Sequence, residues 1–311
     1  MSFPRAGLRQ TAILSLLILN AACTPESRAT PSSEASPEVR PAWTVEATVE
    51  STADVAPALS AAGECTGGQS FETINSGGHA RRYLLHVPAA YDPQTPAALV
   101  LVFHGAGIGA ERFVDYTRFS RVADREGFLV VYPQGLGERP VWDPSPGSRD
   151  VQFASDLIDT LQQRCTIDPG RIYATGHSNG GGMVHRLACE LAGRIAAIGP
   201  VSGAYPPGRC SPPRPVPVFA IHGTADPIVS YEGIPEWAAA WAERNGCDPE
   251  PVDVPHNVLI GEKQWGNCNA GADVILYTIV DLGHDWPGDL IDVGQTLWDF
   301  FEQHPLGKAG P

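Results

Sequence analysis

From residue 65 onward, short apolar runs alternate with longer stretches in which apolar positions recur every three or four residues. Runs apolar at every position suit strands buried on both faces, and the helical period suits elements that cover a sheet. The alternation therefore predicts an α/β fold with a mostly parallel central sheet and helices on both faces. Strands are expected at 82–87, 99–103, 128–132, 171–175, 196–201, 216–221 and 274–280. Helices are expected between them. Residues 151–164 put Ala154, Leu157, Ile158 and Leu161 on one stripe, 179–191 put Met183, Leu187 and Leu191 at four-residue spacing, and 296–304 form a closing helix. Nothing repeats internally, so a single folded domain over 64–306 is expected.

Upstream the pattern stops. Residues 23–63 are rich in Pro, Ser, Thr, Ala and Glu with few large apolar side chains, a composition that cannot offset the entropy of ordering and predicts a flexible tether. Residues 1–22 carry Arg5 and Arg9, then an apolar run over 12–19. That run is shorter than the roughly 20 residues a membrane span needs, so it predicts an export signal. Residues 19–23 (LNAAC) resemble a lipoprotein processing site that would lipidate Cys23; a plain secretory signal cut near Ala22 is the competing reading. Either way the chain is expected outside the cytoplasm, extracellular or periplasmic, touching a membrane only through a lipid at Cys23.

Charge narrows the partners. The chain has 21 basic and 35 acidic residues, a formal charge of −14, with no basic cluster, which argues against nucleic-acid or anionic-membrane surfaces. Its 43% apolar residues suffice for a large core, and a monomer is expected. Besides Cys23 there are six cysteines, an even set that in an exported chain suggests three disulfides. The pairing adopted is Cys189 with Cys210, Cys247 with Cys268, and Cys65 with Cys165, because the first two close short local loops. No metal site is expected, since neither C-x-x-C nor H-x-x-x-H spacing occurs.

The candidate chemistry lies at 171–185, where an apolar strand runs into Gly176, Ser178 and Gly180 and then into a helix. This G-x-S-x-G arrangement suits a sharp strand-to-helix turn that presents a serine as nucleophile, with small residues where a Cβ would strike backbone. A serine hydroxyl needs a base to take its proton and an acid to orient the base. Asp226 follows the strand expected at 216–221, and His284 follows the one at 274–280. Both lie in the order acid, then histidine. Asp226 has a duller alternative as a turn residue before Pro227, and Asp281 and Asp285 are rival acids beside His284. The backbone N–H of Asn179 and that of Ala106, or alternatively Gly105, are the expected oxyanion donors. His104 and His222 read as loop residues that pack or hydrogen-bond. His177 has that reading too, and is also a candidate substrate contact. Trp142, Trp265 and Trp286 fall in Gly/Pro/Asp-rich segments; Trp286 and Trp142 are the chosen candidates for a substrate wall, with structural packing an equal alternative.

Six segments, 82–88 (RYLLHVP), 102–107 (VFHGAG), 130–135 (VVYPQG), 176–181 (GHSNGG), 222–227 (HGTADP) and 283–288 (GHDWPG), resemble the polyhydroxybutyrate depolymerase-like and feruloyl esterase family of α/β-hydrolases. The resemblance implies an α/β-hydrolase fold and a serine esterase with Ser178, Asp226 and His284 as its triad and no cofactor. It also implies an ester substrate, either feruloyl or acetyl esters of plant polysaccharide or short hydroxyalkanoate oligomers. A surface lipoprotein that binds glycans or partners on the same scaffold, and an acyltransferase, are the alternative functions.

Overall fold

The computed structural model describes residues 65–203 and 210–307. The export signal, Cys23 and the tether over 23–63 lie outside the described residues. Ten strands form one sheet: β1 (Gly68–Ser76), β2 (His79–Val87), β3 (Ala97–Phe103), β4 (Leu129–Pro133), β5 (Ile167–His177), β6 (Ile198–Val201), β7 (Val218–Gly223), β8 (Val252–Asn257), β9 (Ile260–Trp265) and β10 (Val274–Ile279). Their spatial order is β1-β2-β4-β3-β5-β6-β7-β10-β9-β8. The six strands from β4 to β10 in that order run parallel, and an antiparallel pair extends each edge.

Alternation along each central strand divides the core in two. Leu99, Leu101 and Phe103 of β3 face one side, where α3 (Arg149–Arg164), α4 (Asn179–Glu190) and α5 (Ile234–Asn245) bring Phe153, Leu157, Met183, Leu187, Trp237 and Trp241. Ala98, Val100 and Val102 face the other, covered by α1 (Ala110–Thr117), α2 (Phe119–Glu126) and α6 (Val293–Phe301). A strand with buried side chains on both faces has no polar face, which is why these segments read as continuous apolar runs.

The differences from the sequence reading have local causes. β5 begins at Ile167 rather than 171, because Ile167 pairs with Ala97 across an irregularity in the β3–β5 register. The strand expected at 216–221 is displaced to Val218–Gly223, since the amide and carbonyl of Val216 are taken by the side chain of Asn245 (3.0 and 2.7 Å) before the ladder starts. α6 starts at Val293, three residues early, because the Asp292 carboxylate caps it by accepting from the amide of Gln295. Strands β1, β8 and β9 go beyond the expected elements: each mixes polar with apolar positions, so no continuous apolar run marks them. Trp265 consequently ends a strand instead of lying in a loop, and is buried.

Three disulfides tie the periphery: Cys65–Cys165, Cys189–Cys210 and Cys247–Cys268. The first spans 100 residues and joins the start of the domain to the end of α3. On a chain-entropy account a loop of that length contributes about 4.7 kcal/mol, the largest such constraint among the described disulfides.

Candidate active site

The segment between β5 and α4 turns so sharply that Ser178 sits at φ 55° and ψ −119°, outside the conformations L-residues favour. The turn is possible because the flanking positions lack side chains. A Cβ on Gly176 would fall 2.6 Å from the backbone of Gly180, and one on Gly180 would fall 2.1 Å from the carbonyl oxygen of Phe103. Ser178 is thereby lifted off the strand ends at the first turn of a 12-residue helix, whose dipole favours negative charge there.

Two other strand ends meet it. The Nε2 of His284 is 2.7 Å from the hydroxyl of Ser178, and its Nδ1 is 2.8 Å from Oδ2 of Asp226. The loops carrying the histidine and the carboxylate are zipped together: Thr224 donates to the carbonyl of Ile279, Ala225 to that of Leu282, and the amide of Asp281 to the Thr224 hydroxyl. Gly223 is required beneath them, since a Cβ there would lie 2.2 Å from the carbonyl oxygen of Leu282. The two readings of Asp226 coexist. Its Oδ1 accepts from the amides of Ile228 and Val229 at 2.8 and 2.9 Å while its Oδ2 faces the histidine. Burial alone pushes this carboxyl upward, but hydrogen bonds from His284 and the two amides outweigh it and hold the group below the usual carboxylate range. The rival acids are elsewhere: Asp285 bonds the Tyr116 hydroxyl, and Asp281 sits in the turn at φ 58°.

A cleft of about 350 Å³ opens over Ser178, with Ala106, Ile108, Arg112, Tyr116 and His177 among its walls. A larger cleft of about 600 Å³ lies beyond Tyr116 and does not include Ser178, so size is a poor guide to the chemistry here. His177 is buried in the wall, its ring 5.0 Å from that of His284. Burial, reinforced by the neighbouring His284, lowers its titration to about 4, so it stays neutral. His104 is likewise pushed down to about 4 by burial; it accepts from the amide of Gly135 and bonds the carbonyl of Gly105, pinning the loop that carries Ala106. The side chain of Asn179 is engaged with the backbone of Trp142, accepting at 2.6 Å and donating at 3.0 Å.

Two of the expected substrate contacts lie outside the walls of the Ser178 cleft and fit the packing alternative. Trp142 is 3% exposed, packed edge-on against Phe103 with its indole N–H donating to the carbonyl of His104, so it supports the loop from behind. Trp286 is also buried, edge-on to Phe113, and borders the larger cleft instead of the one holding Ser178. A large aromatic in a polar loop gains more from burying its face than from exposing it. The residues missed by sequence reasoning are Ile108, Arg112 and Tyr116. The apolar stripe of α1 (Ala110, Phe113, Thr117) could have shown which of its residues turn away from the core.

Residues 82–229 match the family described as esterase, PHB depolymerase. A bifunctional acetylxylan esterase/xylanase of Neocallimastix patriciarum is 31% identical over 232 residues, covering 73% of this chain and 34% of that protein. Feruloyl esterase B of Piromyces equi is 30% identical over 254 residues, covering 73% of this chain and 46% of that protein. The chain thus spans less than half the length of these two relatives. Among solved structures, an acetyl xylan esterase from Aspergillus awamori aligns with a TM-score of 0.61 at 15% identity, over 75% of this chain and 99% of its own. The feruloyl esterase module from Clostridium thermocellum aligns at 0.56 and 14%, over 79% and 90%. At such identities the likeness speaks for the fold, which is that of the α/β-hydrolases.

Proposed function

We propose that this chain is a member of the polyhydroxybutyrate depolymerase-like and feruloyl esterase family of α/β-hydrolases and an exported serine esterase acting on carboxylic esters. The observation that carries the reading is the continuous contact from Asp226 through His284 to Ser178, at 2.8 and 2.7 Å. In this reading Ser178 attacks the ester carbonyl as His284 takes its proton, and Asp226 fixes the tautomer and offsets the imidazolium charge. The backbone N–H groups of Ala106 and Asn179 receive the oxyanion. His284 then protonates the leaving alcohol, and water, deprotonated by the same imidazole, releases the acid from the acyl-enzyme. Water and these side chains complete the cycle without a cofactor. Feruloyl or acetyl esters of plant polysaccharide and short hydroxyalkanoate oligomers are the substrates to assay. The three disulfides support an oxidising, exported location.

The test is covalent. A fluorophosphonate probe should label the native protein at Ser178, and Ser178→Ala should neither label nor hydrolyse any ester. A native protein left unlabelled by the probe and inactive on methyl ferulate, acetylated xylan and hydroxybutyrate oligomers would overturn the assignment.

A further inference from the structure

Arg112 is the one permanently charged side chain among the described residues lining the Ser178 cleft; the other walls are apolar, small or uncharged. It lies on α1 one turn before Tyr116, so the two share a helix face. From Tyr116 the wall continues through the ring of His177, 5.9 Å away, to that of His284, a further 5.0 Å. Arg112 is exposed, and among the described residues no carboxylate lies within ion-pair distance of it. Among the described residues five arginines are ion-paired with carboxylates, including Arg81 with Asp150, Arg125 with Asp292 and Arg194 with Asp159, and Arg112 belongs to the rest. Acid is not scarce, since the chain carries 35 acidic residues against 21 basic ones. Two acids even flank Arg112 on its own helix. Glu111 is exposed, and Asp115 borders the larger cleft on the far side of Tyr116. An exposed cation lining the Ser178 cleft offers an anionic group on a ligand a partner there.

We propose that Arg112 selects esters whose non-reacting part carries a carboxylate, by a charge-assisted, two-pronged hydrogen bond between its guanidinium and that group. This rests on the esterase reading and deepens it to a substrate class. Two sources offer the same chemistry: the free acid end of an ester oligomer, and a uronic acid in an acylated glycan. The reaction is unchanged, because the carboxylate only binds while Ser178 takes the acyl group.

The experiment compares matched substrates. One arm sets a hydroxybutyrate trimer with a free acid end against its terminal carboxamide; the other sets an acetylated methyl glucuronoside against the acetylated methyl glucoside. Neutral p-nitrophenyl acetate runs alongside. In at least one arm kcat/KM should favour the carboxylate about tenfold or more, the reach of a charge-assisted bond. That ratio should collapse to near one in Arg112→Gln, persist in part in Arg112→Lys, and shrink as salt is raised in the unmodified protein. The arm that shows the preference identifies the source. Ratios near one in both arms, or a ratio that survives Arg112→Gln, would overturn the inference. If instead p-nitrophenyl acetate and every other ester is left intact, the esterase reading itself has failed.

Discussion

The strand ends that carry Ser178, Asp226 and His284 and the hairpin β8–β9 at the far edge belong to the same sheet, yet they are built to opposite rules. Around the strand ends the backbone is packed against itself so closely that Gly176, Gly180 and Gly223 admit no Cβ, and Ser178 is held at positive φ. In the hairpin most side chains meet water, and Val258 at its turn is 91% exposed. The first region stores strain and depends on its neighbours on every side. The second is a cover for one sheet edge, with little to lose from substitution. The difference shows that precision in this fold is concentrated where three chain segments converge, and is not spread evenly over the sheet.

Substitutions can sharpen or break that contrast. The largest effect is expected from Asp226→Asn. The new amide would keep the bonds from Ile228 and Val229 but present an NH₂ to Nδ1 of His284, which must then accept, leaving Nε2 protonated toward Ser178. Such a tautomer cannot take the serine proton, so kcat should fall by on the order of 10⁴. The same variant tests linkage. A carboxyl held below its usual range stabilises the fold above the unfolded-state titration, and that contribution is lost as pH falls through the depressed one. Acid unfolding should therefore be less steep in Asp226→Asn, measured by circular dichroism between pH 5 and 2. An unchanged kcat would show that Asp226 is only a turn residue.

Gly180→Ala comes next. Its Cβ meets the carbonyl oxygens of Phe103 and His104 at 2.1 and 2.7 Å, rigid backbone atoms of a central strand end, so about 3 kcal/mol of stability should be lost by urea unfolding. A loss below 1 kcal/mol would mean that the elbow yields easily. Ser202→Ala is milder. This buried hydroxyl donates to the carbonyl of Asp285 at 2.9 Å, directly beneath the histidine loop, and its removal should cost about 1 kcal/mol, visible in both the unfolding midpoint and kcat. Val258→Ser in the hairpin should change stability by less than about 0.5 kcal/mol; a larger change would erase the contrast between the regions.

His177 offers a separate check on the base. Because burial and His284 keep it neutral down to about pH 4, His177→Asn should leave the shape of the pH–rate profile between 5 and 8 unaltered, even if the rate drops. A displaced acid limb would place His177 in the proton transfer.

Much of this molecule is legible in its residues taken in order, because the information is local. Strands buried on both faces are apolar at every position, helices show their stripe, and the elbow needs glycines at fixed offsets from the serine; each of these is a constraint within about ten residues. The strands β1, β8 and β9 at the two ends of the sheet are not legible in the sequence, because ladder hydrogen bonds join them to the sheet and none carries a continuous apolar run. Only the folded chain decided which tryptophans turn inward, and that Asp226 serves a turn and a histidine at once. It also decided that Arg112, unremarkable in sequence, lines the cleft over Ser178. Those outcomes depend on which segments become neighbours across 58 and 106 residues of chain, as in the contacts of His284 with Asp226 and Ser178, and the pattern of one segment does not encode its distance from another.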